Sequence, residues 1–298
     1  MRSSVMPLNR VIALSLTAIV MFGAVLFAYS VDDAVTDQIT AEIGESTAIL
    51  ANQMDDKLDR GLSGRYREIS VAAALLAEPS SNSDGALKNW INHRNASYTD
   101  FIWIGLINKQ GELLTDVGQP PASVDFLAWD SVQKILRGTA KQESLSSRLN
   151  IDVNGTNKST PSRMIDMAVP VVDARGDVMS IIVATTSWQW AEEIATSLMG
   201  SGQVARGTDL FILSDTGEIL LGPASVREIP ADLGSLRSAK RGAKGFAIET
   251  WPGDRKYVTG YARSDGHAGS SGFGWTILVR QNADLALAPV EKDRKSVV

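Results

Sequence analysis

Three spacings of apolar residues follow one another along this chain. Val11 to Val31 form an apolar run without a single charge. At about 1.5 Å of rise each, its roughly 21 residues make a helix of about 30 Å, the thickness of a hydrocarbon core. From Asp32 to about Leu76 the apolar positions Val35, Ile39, Ile43, Leu50, Met54, Leu58, Leu62, Ile69 and Leu76 are spaced mostly by four or seven. They make one stripe on a helix of about 3.6 residues per turn, continuous with the first run. Gly44, Gly61 and Gly64 weaken this helix and allow a bend. The stretch from Glu78 to Gly85, with Pro79 and four Ser or Asn residues, ends it. Ala86 to Arg94 reads as a short second helix with Trp90 and Ile91 facing in.

Beyond residue 100 the period falls to two, the signature of strands. Phe101–Ile107 predicts a strand, Asn108-Lys109-Gln110-Gly111 a turn, and Glu112-Leu113-Leu114 the returning strand. Ser131 to Arg137 reads as a short helix, and the polar residues 150–162 as a surface loop. Met164–Val172 and Val178–Thr185 predict two strands about the turn Asp173-Ala174-Arg175-Gly176, and Trp188–Leu198 a connecting helix. The arrangement then recurs. Asp209–Leu213 and Glu218-Ile219-Leu220 flank Ser214-Asp215-Thr216-Gly217, so that Gly217 overlays Gly111 and Glu218 overlays Glu112. Two further strands flank Trp251-Pro252-Gly253-Asp254, and Gly274–Val279 is the last. Two successive copies of one antiparallel α+β unit account for this order better than one fold does.

Charge places these units. Arg2 and Arg10 precede the apolar run and no acid does, whereas Asp32, Asp33 and Asp37 follow it. Positive charge stays in the cytoplasm, so the remainder is expected outside the inner membrane, with the protein single-pass and its bulk periplasmic. A cleaved signal peptide ending near Ala28-Tyr29-Ser30 is the rival reading. The run is longer than the roughly 7–15 residues of a signal h-region, which favours an anchor, and both readings export the rest. The net charge of -5 carries no basic stripe, which argues against nucleic acid as a partner. With no cysteine, disulfides and thiolate metal sites are excluded, and the two histidines, His93 and His267, lie far apart. No metal or cofactor is expected.

The segments FIWIGLINKQGELL, RMIDMAVPVVDARGDVMSIIVATTSWQWAEEI, TDLFILSDTGEILLGP and WPGDRKYVTGYARSDGHAGSSGFGWTILVRQNADLALAP, in that order, resemble the double Cache sensors of bacterial transmembrane receptors. These are two PAS-like modules on one long helix, and the pattern is nearest those of membrane diguanylate cyclases. The resemblance covers about 32–290. It implies an α+β chain: a cytoplasmic tail 1–10, a transmembrane helix 11–31, a stalk helix 32–77, a membrane-distal module 78–198, a membrane-proximal module 199–285 and a tail 286–298. In such relatives a second membrane helix and an output domain follow. This sequence stops after Glu291–Val298 with no second apolar run and no GGDEF, HAMP or kinase motif, so it is expected to sense but not to supply its own output.

In resembling sensors the distal module holds a small molecule. Four residues are candidates here. Asp166 stands inside the apolar strand Met164–Val169, where a buried charge costs several kcal/mol unless paired, so a ligand amine or cation is a candidate partner. Arg163 borders that pocket. Trp103 shares a strand face with Gly105, and a tryptophan beside a glycine leaves room for a flat or methylated ligand, although plain core packing accounts for it too. Trp129 falls where resembling sensors carry an Arg-Pro-Trp-Phe segment. Here the stretch is Phe126-Leu127-Ala128-Trp129, so the arginine that would clasp a carboxylate is missing.

Three functions compete: a ligand sensor, a regulatory subunit acting through a separate signalling protein, and an anchored exported enzyme. The last lacks a Ser–His–Asp ordering, a nucleophile elbow or a metal cluster, and Glu192-Glu193 reads as a solvated helix face. The expected partners are a small-molecule ligand, the membrane, and a second copy of the chain along the long helix.

Overall fold

The computed structural model describes residues 8–78, 85, 90, 101–118, 125–138, 144–150, 162–205, 207–266 and 272–283. Before Thr36 only the side chains of Thr17 and residues 20–23 are included, and those of 144–150 are not. Of the expected helix over 86–94 only Trp90 is described, helical and half-buried against the core; the loop between 151 and 161, both histidines and the tail beyond 283 lie outside the described residues.

The chain opens with helix α1, Leu8–Leu76, which is 69 residues and about 100 Å long. Its backbone carries the run Val11–Val31, whose side chains lie largely outside the described residues. Among the described residues no helix is long and apolar enough to cross a membrane. Two antiparallel sheets follow. The first holds β1 (Phe101–Ile107), β2 (Leu113–Gly118), β3 (Ser144–Asn150), β4 (Ser162–Val172) and β5 (Val178–Ser187). The second holds β6 (Thr208–Leu213), β7 (Ile219–Leu221), β8 (Gly245–Trp251), β9 (Arg255–Arg263) and β10 (Thr276–Asn282). Their strand orders, β2-β1-β5-β4-β3 and β7-β6-β10-β9-β8, are the same order repeated. Helix α2 (Asp130–Leu136) covers the first sheet, α3 (Gln189–Ala205) joins the two, and α4 (Gly234–Lys240) covers the second. This is an α+β fold with two tandem PAS-like modules behind one long helix.

The duplication is visible in its turns. Asn108, Asp173 and Ser214 each donate their amide to the carbonyl four residues on and accept from the glycine three residues on. Those glycines, Gly111, Gly176 and Gly217, have φ of 80°, 87° and 96°, which explains glycine at that place in the pattern. Two elements were not legible. Edge strand β3, Ser-Leu-Ser-Ser-Arg-Leu-Asn, has too polar a sequence to announce itself, and α4 is only seven residues long.

Helix α1 runs unbroken through Gly44, Gly61 and Gly64, the residues expected to weaken it. Packing decides this. Met54, Leu58, Leu62 and Ile69 are buried in a core that also takes in Ile165, Met167 and Ile182 of the first sheet and Ile277 and Val279 of the second. Each such side chain contributes about 1.5–3 kcal/mol, against about 1 kcal/mol lost per interior glycine. Gly44 lies under the Phe246 ring and Gly61 under Trp190, so two of the three glycines are needed for close approach. A Cβ added at Gly64 would meet nothing within 4 Å. Gly64→Ala should therefore stabilise the chain by about 0.5–1 kcal/mol, read as an increase in the denaturant midpoint. No gain would mean that the helix is already held there by a contact with another molecule.

From Leu50 onward the apolar stripe is consumed within the chain, since Leu50, Met54, Leu58, Leu62, Ile69 and Leu76 are all buried against its own sheets. The modules meet through aromatic side chains. Trp188 stands edge-on to Trp275 at 5.1 Å and to Trp190 at 6.2 Å, and the Arg65 guanidinium of α1 lies 4.6 Å from the Trp190 ring centre.

Candidate functional site

Strand alternation sends two sets of side chains to opposite faces of the first sheet. One set, including Ile104, Leu106, Ile165, Met167, Ile182 and Ala184, meets α1. The other carries Trp103, Ile107, Ala168, Ile181 and Val183 and is roofed by Phe126, Trp129, Val132 and Ile135. Asp125 caps the short turn Phe126–Ala128 by accepting the Leu127 amide at 3.0 Å, which seats Phe126 and Trp129 over the sheet. Trp103 stacks on Phe126 with ring centres 5.4 Å apart and planes 7° from parallel, and Trp129 stands edge-on to both. The Trp103 indole N–H donates to Asp116 Oδ2 at 2.8 Å.

Register then decides what lies beside the tryptophan. Trp103 pairs with Thr185 and Thr185 pairs with Asp166, so the three form one row across β1, β5 and β4. Asp166 is only 2% exposed and accepts a hydrogen bond from the Thr185 hydroxyl at 2.7 Å. The sequence candidates Trp103, Trp129 and Asp166 thus come to one face of one sheet. The room expected beside Gly105 is not open, because the Trp103 ring itself lies against that glycine.

Arg163 is not brought to this face. It has the parity of Ile165 and Met167, opposite to Asp166, and its guanidinium reaches out of the module to Glu218 Oε1 at 2.8 Å. Glu218 is 54% exposed, so this ion pair is worth no more than about 1 kcal/mol and acts as a tie between modules. Arg163→Met is accordingly expected to lower stability by under about 1 kcal/mol. A larger loss in urea unfolding would mean that the arginine does more than bridge the modules.

The duplication supplies an internal comparison. In the second sheet the matching row is Asp209, Arg280 and Thr259 across β6, β10 and β9. Here the row is closed from within. Arg280 donates from Nε and a terminal nitrogen to Asp209 Oδ2 at 2.9 and 2.8 Å. Its guanidinium lies 4.2 Å from the Trp251 ring centre, 4.4 Å from that of Tyr257 and 5.0 Å from that of Phe211. An arginine therefore fills an aromatic cage in the second module. The first module has a threonine at that position, with an aromatic cluster on one side and a carboxylate on the other. A separate concavity of about 760 Å³ lies between α3 and strands β6 and β7, lined by Ala195, Met199, Leu210, Leu221 and Pro223 with Glu192 and Asp209 at its edge. Among the described residues no group of three or more His, Cys, Asp or Glu is placed to hold a metal ion.

The family model dCache_1, described as a Cache domain, matches residues 31–290. The chain belongs to the Cache domain family. Solved structures share the fold of this Cache chain at low identity. The ligand-binding domain of the Pseudomonas fluorescens chemoreceptor CtaA, in complex with L-isoleucine, superposes with a TM-score of 0.59 at 18% identity, covering 86% of this chain and 97% of that one. The periplasmic sensory domain of the Campylobacter jejuni chemoreceptor Tlp1 gives 0.62 at 13% identity, covering 84% and 99%. The ligand-binding domain of the Pseudomonas aeruginosa amino acid chemoreceptor PctC, in complex with GABA, gives 0.57 at 16% identity, covering 80% and 99%. No curated protein matches the chain in sequence.

Sequence reasoning missed Asp116, Phe126, Thr185 and Arg280. Parity along β1 and the three-residue spacing of Phe126 and Trp129 were available signals for the aromatic cluster. Nothing local marks Thr185 or Arg280, whose roles arise from their cross-strand partners.

Proposed function

We propose that this Cache chain is the extracytoplasmic small-molecule sensor of a membrane-anchored signalling receptor. Val11–Val31 is its anchor, residues 78–198 form the membrane-distal module and residues 199–285 the membrane-proximal one. The ligand binds on the Trp103, Trp129 and Asp166 face of the distal module. Its flat or apolar part lies against the aromatic side chains, and a cationic or hydrogen-bond-donating group meets Asp166. The Arg280 cage carries this reading: the proximal module satisfies its own row with an arginine, whereas the matching distal row has threonine in that arginine's place and a carboxylate beside it. The chain itself is taken to be non-catalytic, its signal passing along α1 to a cytoplasmic output. A second copy of the chain would pair along the outward face of α1, where Ile49, Val71 and Leu75 are exposed, since the inward stripe is already covered.

The test is a thermal-shift and calorimetric screen of the full chain in detergent against amines, amino acids and carboxylates. A ligand at about 100 times its Kd stabilises the folded state by about 2.7 kcal/mol, an easily read rise in melting temperature. Trp129→Ala and Asp166→Asn should each reduce that rise without changing the melting behaviour of the second module. A wild-type protein that no class stabilises, or a rise that both variants preserve, would overturn the site.

A further inference from the structure

Asp55 and Asp59 interrupt the buried stripe of α1, among Ala51, Met54, Leu58 and Leu62. They lie four residues apart on the helix face that meets the second sheet, and they are satisfied differently. Asp59 accepts from the Ser264 hydroxyl and from the Gly266 amide, so neutral donors hold it. Asp55 is held by one group, the Lys244 ammonium, 2.8 Å from Oδ2 and 189 residues away in sequence. The Asp55 side chain is 2% exposed and that of Lys244 39%, so the pair spans the edge of the joint. The second carboxylate oxygen, Asp55 Oδ1, is buried without a partner. Asn52 Oδ1, one turn earlier on the same helix face, is also buried without a partner. Both are acceptors, and a buried acceptor left unmet costs free energy. A single proton on Asp55 Oδ1 would supply the missing donor.

We infer that Asp55 is a proton-operated latch between α1 and the second module, so that mild acid changes how the long helix is held. The surroundings make it the group that responds. Among the described residues, the strand positions that share the face of Gly260 are apolar around it: Phe246 and Ile248 on β8, Val258 and Ala262 on β9, and Ile277 and Val279 on β10, with the exposed Lys256 the one charge on that face. Lys256 is at the far end of β9 from Ser264. The charges that reach Asp55 are Lys244, which favours ionisation, and Asp59 and Asp265, which oppose it. Burial outweighs them and pushes its pKa from 3.8 up to about 6. Burial also raises Asp59. Burial pulls the Lys244 ammonium down, but the bond and charge of Asp55, with the charges of Asp265 and Asp56, leave it raised. The ammonium, 39% exposed, keeps more of its water than the carboxylate, 2% exposed, so desolvation weighs more heavily on Asp55.

The sign follows from linkage. Between pH 3.8 and about 6 the folded chain holds a proton on Asp55 that the unfolded chain releases. The contribution of this site to stability is therefore complete below pH 3.8 and is lost as pH rises through about 6. Acidification from pH 7 to 5 tightens the packing of α1 on the second module and frees Lys244 to solvent.

The experiment follows the melting temperature of the full chain in detergent from pH 4.5 to 8 for the wild type, Asp55→Asn and Lys244→Met. The asparagine variant mimics the protonated state, so the wild type should lose several degrees relative to it as pH rises through about 6. Lys244→Met removes the only support of the ionised form and should move that step to higher pH. Parallel curves for the wild type and Asp55→Asn, or a step that Lys244→Met leaves in place, would overturn the latch. Should either variant fail to fold, the carboxyl carbon resonances of aspartate-labelled wild-type protein decide it. An aspartate titrating near pH 6 supports the latch, and none titrating between pH 5 and 7 ends it.

Discussion

Gly260→Val should unseat the long helix from the second sheet. Gly260 lies on β9 between Phe246 of β8 and Val279 of β10, on the face that meets α1. A Cβ there would fall on the backbone of Thr47 and Ala48. Main-chain atoms cannot rotate out of the way as a flexible side chain can, so either the helix lifts or the strand does. The contact is reciprocal, since Gly44 of α1 lies under the Phe246 ring of β8. Overpacking a filled core costs about 1–3 kcal/mol and occasionally more, and a clash against two backbone groups belongs at or beyond the upper end. At about 2–4 °C per kcal/mol for a chain of this size, a drop in melting temperature of roughly 6–12 °C follows. A calorimetric midpoint within a degree or two of wild type would show that α1 is not clamped at this crossing. The contrast with Gly64, where a methyl meets nothing, makes the pair informative: the same kind of residue in one helix-to-sheet assembly predicts opposite signs.

The second large effect is at Trp103. This side chain is 1% exposed, stacked on Phe126 and edge-on to Trp129, and its N–H is spent on Asp116. Truncating a buried tryptophan to alanine costs about 3–5 kcal/mol through lost transfer free energy and the cavity left behind. Trp103→Ala should therefore lower the melting temperature by roughly 6–20 °C and remove the wall against which a ligand would lie. Trp103→Phe keeps a ring on Phe126 and loses the bond to Asp116, a loss of about 1.5–3 kcal/mol for a hydrogen bond to a charged group. If urea unfolding gave the two variants the same stability, the stacking would not be what holds this face together. If only the alanine variant lost the ligand response, the ring would belong to the site.

Much of this arrangement could be read before any coordinates. A stripe with about 3.6 residues per turn fixes a helix because α-helical geometry returns every third or fourth side chain to one face. Alternation marks strands for the same kind of local reason, and β1, β4, β5 and β6 appear within a residue or two of their expected places. The recurring five-residue turn, with glycine at positive φ, disclosed the duplication, and the resemblance to double Cache sensors rested on these local features in order. The candidate site was legible only in fragments. Trp103, Trp129 and Asp166 stand out because a large ring or a charge in an apolar strand is unusual wherever the strand is placed. Arg163 stands out as well, yet its parity carries it to the opposite face and to Glu218, 55 residues away.

The sequence by itself determined the periods, the turns and the order of elements, because each depends on neighbours within a few residues. The tertiary structure alone decided that α1 runs unbroken through its three glycines, that Arg280 fills the second cage, and that Asp55 is held by Lys244. Each of these is settled by register and by close approach between segments dozens to hundreds of residues apart. The free energy at stake there, several kcal/mol of burial or clash, exceeds the roughly 1 kcal/mol carried by any local preference.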